Sequence, residues 1–127
     1  MENSGFANYP KQEHNDCTVR AYSKVADIPY SFAYDVIANL GRKPGGLFPF
    51  SKLTDWDESF STLPVLDGEK RLTHRRGTVR RFLRDHPKGS YVVRVPQHVF
   101  AVVDGVVYDG FEPTLGQFVR CAWEYKK

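Results

Sequence analysis

Three side chains able to carry out nucleophilic acyl chemistry are spread along this chain: Cys17, His98 and Asp109. Cysteine acts as its thiolate, so what matters first is whether the thiol sits where negative charge is favoured. Cys17 follows Asn15-Asp16, residues of turn and cap character, and precedes Val19, Tyr22, Val25 and Ala26 at helical spacing. That pattern predicts a helix starting at Cys17, with Asp16 as N-cap and its carboxylate accepting from orphan backbone N–H groups. A thiol in the first turn of a helix feels the partial positive charge of the terminus, which favours thiolate. The competing expectation is a small buried hydrophobe, the usual fate of a free cysteine.

A thiolate needs a base to share its proton and an acceptor to orient that base. The run from His98 to Asp109 contains Asp104-Gly105 between two β-branched stretches, the signature of a two-residue hairpin. With those two residues as the turn, Val103 faces Val106 and Phe100 faces Asp109. Alternation then puts His98, Phe100 and Asp109 on one face, Asp109 diagonal to His98 and within side-chain reach. Asp104 shares their parity but lies far along the strand, which makes it a turn residue. A strand-edge His–Asp pair is also a common structural arrangement, and the cysteine is what gives it chemical interest.

The elements that must position these groups follow in order. The first sixteen residues read as an extended or looped lead-in. Helices are expected over about 17–26 and 30–40, separated by Asp27-Ile28-Pro29, with Gly41 ending the second in a left-handed cap. From Arg42 to Arg76 the periodicity dissolves, and a rim or lid loop is expected, with Trp56 anchoring it to the core or, as the alternative, contacting a ligand. Thr78 should cap a short helix carrying Val79, Phe82 and Leu83. Strands are expected at 90–95, 98–103, 106–109 and about 118–125. Helices first and an antiparallel sheet second is the α+β pattern, and 127 residues suit a single domain spanning 1–127.

Composition narrows the classes further. Hydrophobic content of 41% with 26% charged residues is that of a water-soluble globular chain, no apolar run is long enough to span a bilayer, and the N-terminus has no signal-peptide pattern. A cytoplasmic location is the resulting expectation, with both cysteines as thiols. From Lys70 to Lys88 there are eight Lys or Arg against one acid, Asp85, preceded by an acidic stretch over 55–69. A solvated face paired with that acidic loop is the first expectation, and contact with nucleic acid or another polyanion the second. His74 and His86 are expected to be exposed members of this stretch. Cys121 reads as a small core residue, and Trp123 as core or as a cover for His98. His14, Cys17, His98 and Asp109 would together make a four-ligand metal set, but their spacing lacks any compact ligand motif, so neither metal nor cofactor is expected.

Asn15-Asp16-Cys17 opening a helix, followed by the strand Ser90-Tyr91-Val92-Val93-Arg94-Val95 and then by the stretch from His98 to Asp109, resembles the papain-like cysteine peptidase superfamily. The chain is most similar to its small bacterial and phage-encoded members, such as those that process bacteriocin leaders. The resemblance runs from about Gln12 to Asp109. It implies a papain-like fold, a peptide or protein substrate, Cys17 as nucleophile, His98 as base and then acid, and Asp109 as the orienting group. It also implies an oxyanion hole formed by the cysteine N–H and a preceding glutamine side chain. Gln12 stands one residue closer to the cysteine than is usual, so Asn15 is an alternative donor. Thr18 occupies a position where many members have glycine. Two further expectations stay open: acyl transfer by the same triad, and a non-enzymatic binding module, for instance a phage-encoded modulator of a host protein or nucleic acid.

Overall fold

A computed structural model describes residues 6–8, 15–63, 77–109 and 116–126, with 6–8 and 109 described through their backbone. The fold is α+β. Strand β1 (Phe6–Asn8) is followed by helices α1 (Cys17–Ala26), α2 (Tyr30–Asn39) and α3 (Phe50–Trp56), strand β2 (Phe60–Thr62), helix α4 (Val79–Asp85), and strands β3 (Ser90–Val95), β4 (His98–Val103), β5 (Val106–Asp109) and β6 (Cys121–Tyr125). The strands form one six-stranded sheet in the order β1-β5-β4-β3-β6-β2.

The first two helices end by the same device. In α1, Asp27 turns left-handed at φ 59°, and the Ile28 and Asp27 N–H groups bond back to the Ser23 and Lys24 carbonyls. In α2, Gly41 at φ 124° plays that part, with Arg42 bonding to Ile37 and Gly41 to Ala38. Both are Schellman closures, which satisfy the last carbonyls of a helix once one residue goes left-handed. Thr78 caps α4 as its sequence suggests, accepting from the Arg81 N–H at 3.2 Å. The His98-bearing hairpin also forms as expected: Asp104 (φ 50°) and Gly105 (φ 82°) make a type I′ turn, and Val103 pairs with Val106. Asp104 lies in the turn and accepts from the Gly89 N–H.

Strand alternation sorts the core into two layers. Val92, Val99, Ala101 and Trp123 face α1 and α2, packing with Val19, Tyr22, Ile37 and Leu53. Val93, Val95, Phe100, Val102 and Val107 face the other way, onto Val79 and Phe82 of α4. Burying both faces explains why β3 and β4 are nearly continuous apolar runs.

Four expectations need correcting. The lead-in contributes β1, which adds to the sheet edge parallel to β5. The stretch from 42 to 63 is not simply loop, because it contains α3 and β2, the latter paired antiparallel with β6. Both are too short for periodicity and are held by tertiary aromatic contacts, Phe50 against Trp123 at 4.8 Å and Phe60 against Tyr125 at 4.6 Å. Trp56 is 55% exposed and does not anchor that stretch. His86 is not a free surface group, for its ring stacks on Phe82 at 4.3 Å and meets Tyr91 edge-on. In the basic stretch, Arg81 and Arg84 pair with Asp85, and residues 70–76, His74 included, lie outside the described residues. No helix among the described residues is long and apolar enough to cross a membrane.

Candidate active site

The start of α1 is built around a buried carboxylate with an unexpected task. Asp16 occupies the N-cap position, but its side chain makes no cap bond. One oxygen instead pairs with the Arg20 guanidinium at 2.7 Å and the other accepts from the Tyr30 hydroxyl at 2.9 Å. Asp16 and Arg20 are both buried, and their pairing offsets part of the cost of taking each charge out of water. The pair fixes a cation one turn below Cys17.

His98 is delivered by another tight turn. Val95 pairs with His98 across Pro96-Gln97, and Gln97 is left-handed at φ 65°, the proline-then-left-handed order of a type II turn. This closure makes Val95–His98 a hydrogen-bonded pair, so the next residue, Val99, turns its N–H away from β3. That N–H and the His98 side chain both bond the Cys17 thiol. Alternation assigns His98 to the α4 face, its ring 6.0 Å from that of Phe100, whereas Cys17 belongs to the α1 face. They meet at the sheet margin, where the sulfur takes the acceptor place on Val99 that a neighbouring strand would fill.

Burial pushes the Cys17 thiol up, but the His98 hydrogen bond, the Val99 N–H, and the charges of His98 and Arg20 outweigh it and hold the thiol below its ordinary range. The lowered value therefore has named causes, two of them the side chains just described.

The Cys17 and His98 side chains open into a cleft of about 650 Å³. Its apolar wall is Leu47, Phe48, Pro49, Phe50 and Trp123, with Ser51, Gln97 and Arg94 among its polar edges. The wall is pinned to α1 by three bonds: Arg42 Nη2 to the Asn15 carbonyl, Asn15 Nδ2 to the Gly45 carbonyl, and Thr18 Oγ1 to the Phe48 carbonyl at 3.1 Å. Thr18 thus has a structural task of its own. Asp57, just past α3, holds the far end of the wall by accepting from Tyr22 and Tyr125.

Of the residues expected at the site, Cys17 and His98 come together. The backbone of Asp109 ends β5, and continuing the observed Ala101–Tyr108 pairing by one step puts it opposite Phe100 and diagonal to His98. Asn15 lines the cleft, left-handed at φ 57°, with its amide donating to Gly45. Gln12 and His14 lie outside the described residues. Cys121 packs at the edge of the α1-side core, and Trp123 both packs there and lines the cleft. Among the described residues no three His, Cys, Asp or Glu side chains converge as metal ligands. The Val99 N–H, the Asp16–Arg20 pair and Arg94 were not singled out by their sequence pattern, since each acts through a register or contact visible only once the sheet is assembled. Comparison of the chain with protein-family profiles, curated proteins and solved structures gave no match.

Proposed function

We infer that this chain is a small cysteine hydrolase of papain-like type acting on a peptide or other acyl bond. The observation that carries the reading is the Cys17 thiol at a helix N-terminus, hydrogen-bonded to His98 at the mouth of a cleft and held below the ordinary thiol range. The thiolate attacks the substrate carbonyl carbon, and the resulting oxyanion is stabilised by the first-turn N–H groups of α1, beginning with that of Cys17. The protonated His98 gives its proton to the leaving amine as the C–N bond breaks, leaving a thioester. His98 then takes a proton from water, the hydroxide adds to the thioester, and the carboxylic acid departs with the thiol restored. Asp109, at its diagonal register position, orients the imidazole and balances its charge during the cationic phase.

Alkylation tests this directly. Iodoacetamide at pH 6, followed by peptide mass mapping, should modify Cys17 well ahead of Cys121, and His98→Ala should slow it. Equal, sluggish labelling of both cysteines overturns the assignment.

A further inference from the structure

Strand register places one more chemically distinct group in the cleft. Arg94 pairs with Val99 on β4 and with Cys121 on β6, in the middle of the sheet. It has the parity of Val92, so its side chain leaves on the α1 face, where Trp123 and Phe50 form the cleft floor. Because Val95–His98 is the hydrogen-bonded pair, Arg94 and Val99 form the closer, non-hydrogen-bonded kind, with side chains in direct reach. Val99 is the residue whose N–H touches the Cys17 sulfur. Arg94 therefore stands one cross-strand step from Val99, whose far side meets the sulfur, and it lines the same cleft as Cys17.

Two further observations separate it from a routine surface arginine. Among the described residues lining the cleft it carries the one permanent charge, and none of them is an acid. Arg94 is exposed and forms no ion pair among the described residues, whereas Arg20 is buried against Asp16. The groups acting on the thiol include His98 and Arg20 but not Arg94. A cation that serves neither the fold nor the nucleophile, set beside an apolar wall in a site without acids, is suited to a substrate anion.

Resting on the reading of Cys17 as an acyl-transfer nucleophile, we propose that Arg94 is a specificity residue: the preferred substrates place an apolar side chain on the Phe48–Phe50–Trp123 wall and a carboxylate on the Arg94 guanidinium, within about one residue of the scissile bond. The carboxylate is either an acidic side chain or a free C-terminus.

Iodoacetate and iodoacetamide differ by a single charge, so the ratio of their Cys17 alkylation rates reads the subsite. Arg94→Gln should lower the iodoacetate-to-iodoacetamide ratio about three- to tenfold, Arg94→Lys should largely retain it, and added salt should shrink the wild-type preference. A ratio unmoved by Arg94→Gln overturns the proposal. It remains measurable with a sluggish thiol, so slow labelling by both reagents counts against the nucleophile and an unmoved ratio against Arg94. Protection of Cys17 from iodoacetamide identifies the carboxylate source. N-acetyl-Phe-Glu-amide is compared with its Gln counterpart, and N-acetyl-Gly-Phe acid with its amide. Preferential protection by an acid member that is lost in Arg94→Gln supports the proposal and names the source. Equal protection within both pairs, or none by any of the four, overturns the substrate class.

Discussion

Cys17 is a thiol under opposed influences, and each leaves a measurable trace. Burial raises its pKa while His98, the Val99 N–H and Arg20 lower it further than burial lifts it. Its alkylation rate should therefore reach half-maximum below about pH 8.5, the free-thiol value, and His98→Ala should move that inflection upward while slowing labelling at pH 6 by about a hundredfold. The linkage sign follows: a depressed folded-state value means the folded chain binds fewer protons over the interval between the two values. Stability from this group is therefore present above the ordinary thiol value and lost as pH falls through the lowered one. Asp109→Ala should slow alkylation less than His98→Ala does, and Asp104→Ala, a turn change, should leave it near wild type. Asp16→Ala removes the buried carboxylate held by Arg20 and Tyr30 and should cost about 3–5 kcal/mol in a denaturant titration. At this scale the sequence made the helix start at Cys17 and the hairpin bearing His98 legible, because helix spacing and hairpin arithmetic are local rules. It misread the Asp16 side chain, since nothing in a local pattern distinguishes a capping carboxylate from one drawn into a buried pair with Arg20 and Tyr30.

Elements closed by backbone logic were the ones readable in advance. The end of α2 was marked by Gly41 and the β4–β5 turn by Asp104-Gly105, because few residues tolerate left-handed φ; the end of α1 was marked by Pro29, which cannot continue a helix, and its left-handed closure at Asp27 was not read in advance. Strands β1 and β2, three residues each, and the seven-residue α3 carry no such periodic mark and exist through what they pack or pair with. The cleft wall belongs to this second kind. Thr18→Val keeps the shape of the side chain but leaves the Phe48 carbonyl without its donor, and should cost about 1–3 kcal/mol, read by thermal or denaturant unfolding. Thr78→Ala, far from the cleft, should cost about 1 kcal/mol through the lost α4 cap, with Cys17 reactivity intact.

Across the whole molecule, aromatic hydroxyls join the layers. Burial first, and then the Asp57 carboxylate, push Tyr22 well above the ordinary phenol range; burial and Asp57 also raise Tyr125, and burial with Glu124 raises Tyr91. For raised groups the stabilisation is complete below about pH 10 and fades as pH climbs toward the folded-state values. Denaturant midpoints should accordingly drop as pH rises above about 10, with a shallower drop in Tyr22→Phe. The meeting of Cys17 and His98 at the sheet margin has a different kind of consequence. Neither the helix nor the hairpin contains both groups, and they touch only once α1 has docked on the assembled sheet. The lowering of the Cys17 thiol by His98 and Val99 therefore depends on tertiary docking, and a nascent or partly unfolded chain should carry an ordinary, slow thiol. Pulse labelling with iodoacetamide at pH 6 during refolding would make Cys17 a clock for that docking, its fast reactivity appearing after helix and hairpin signals are already complete.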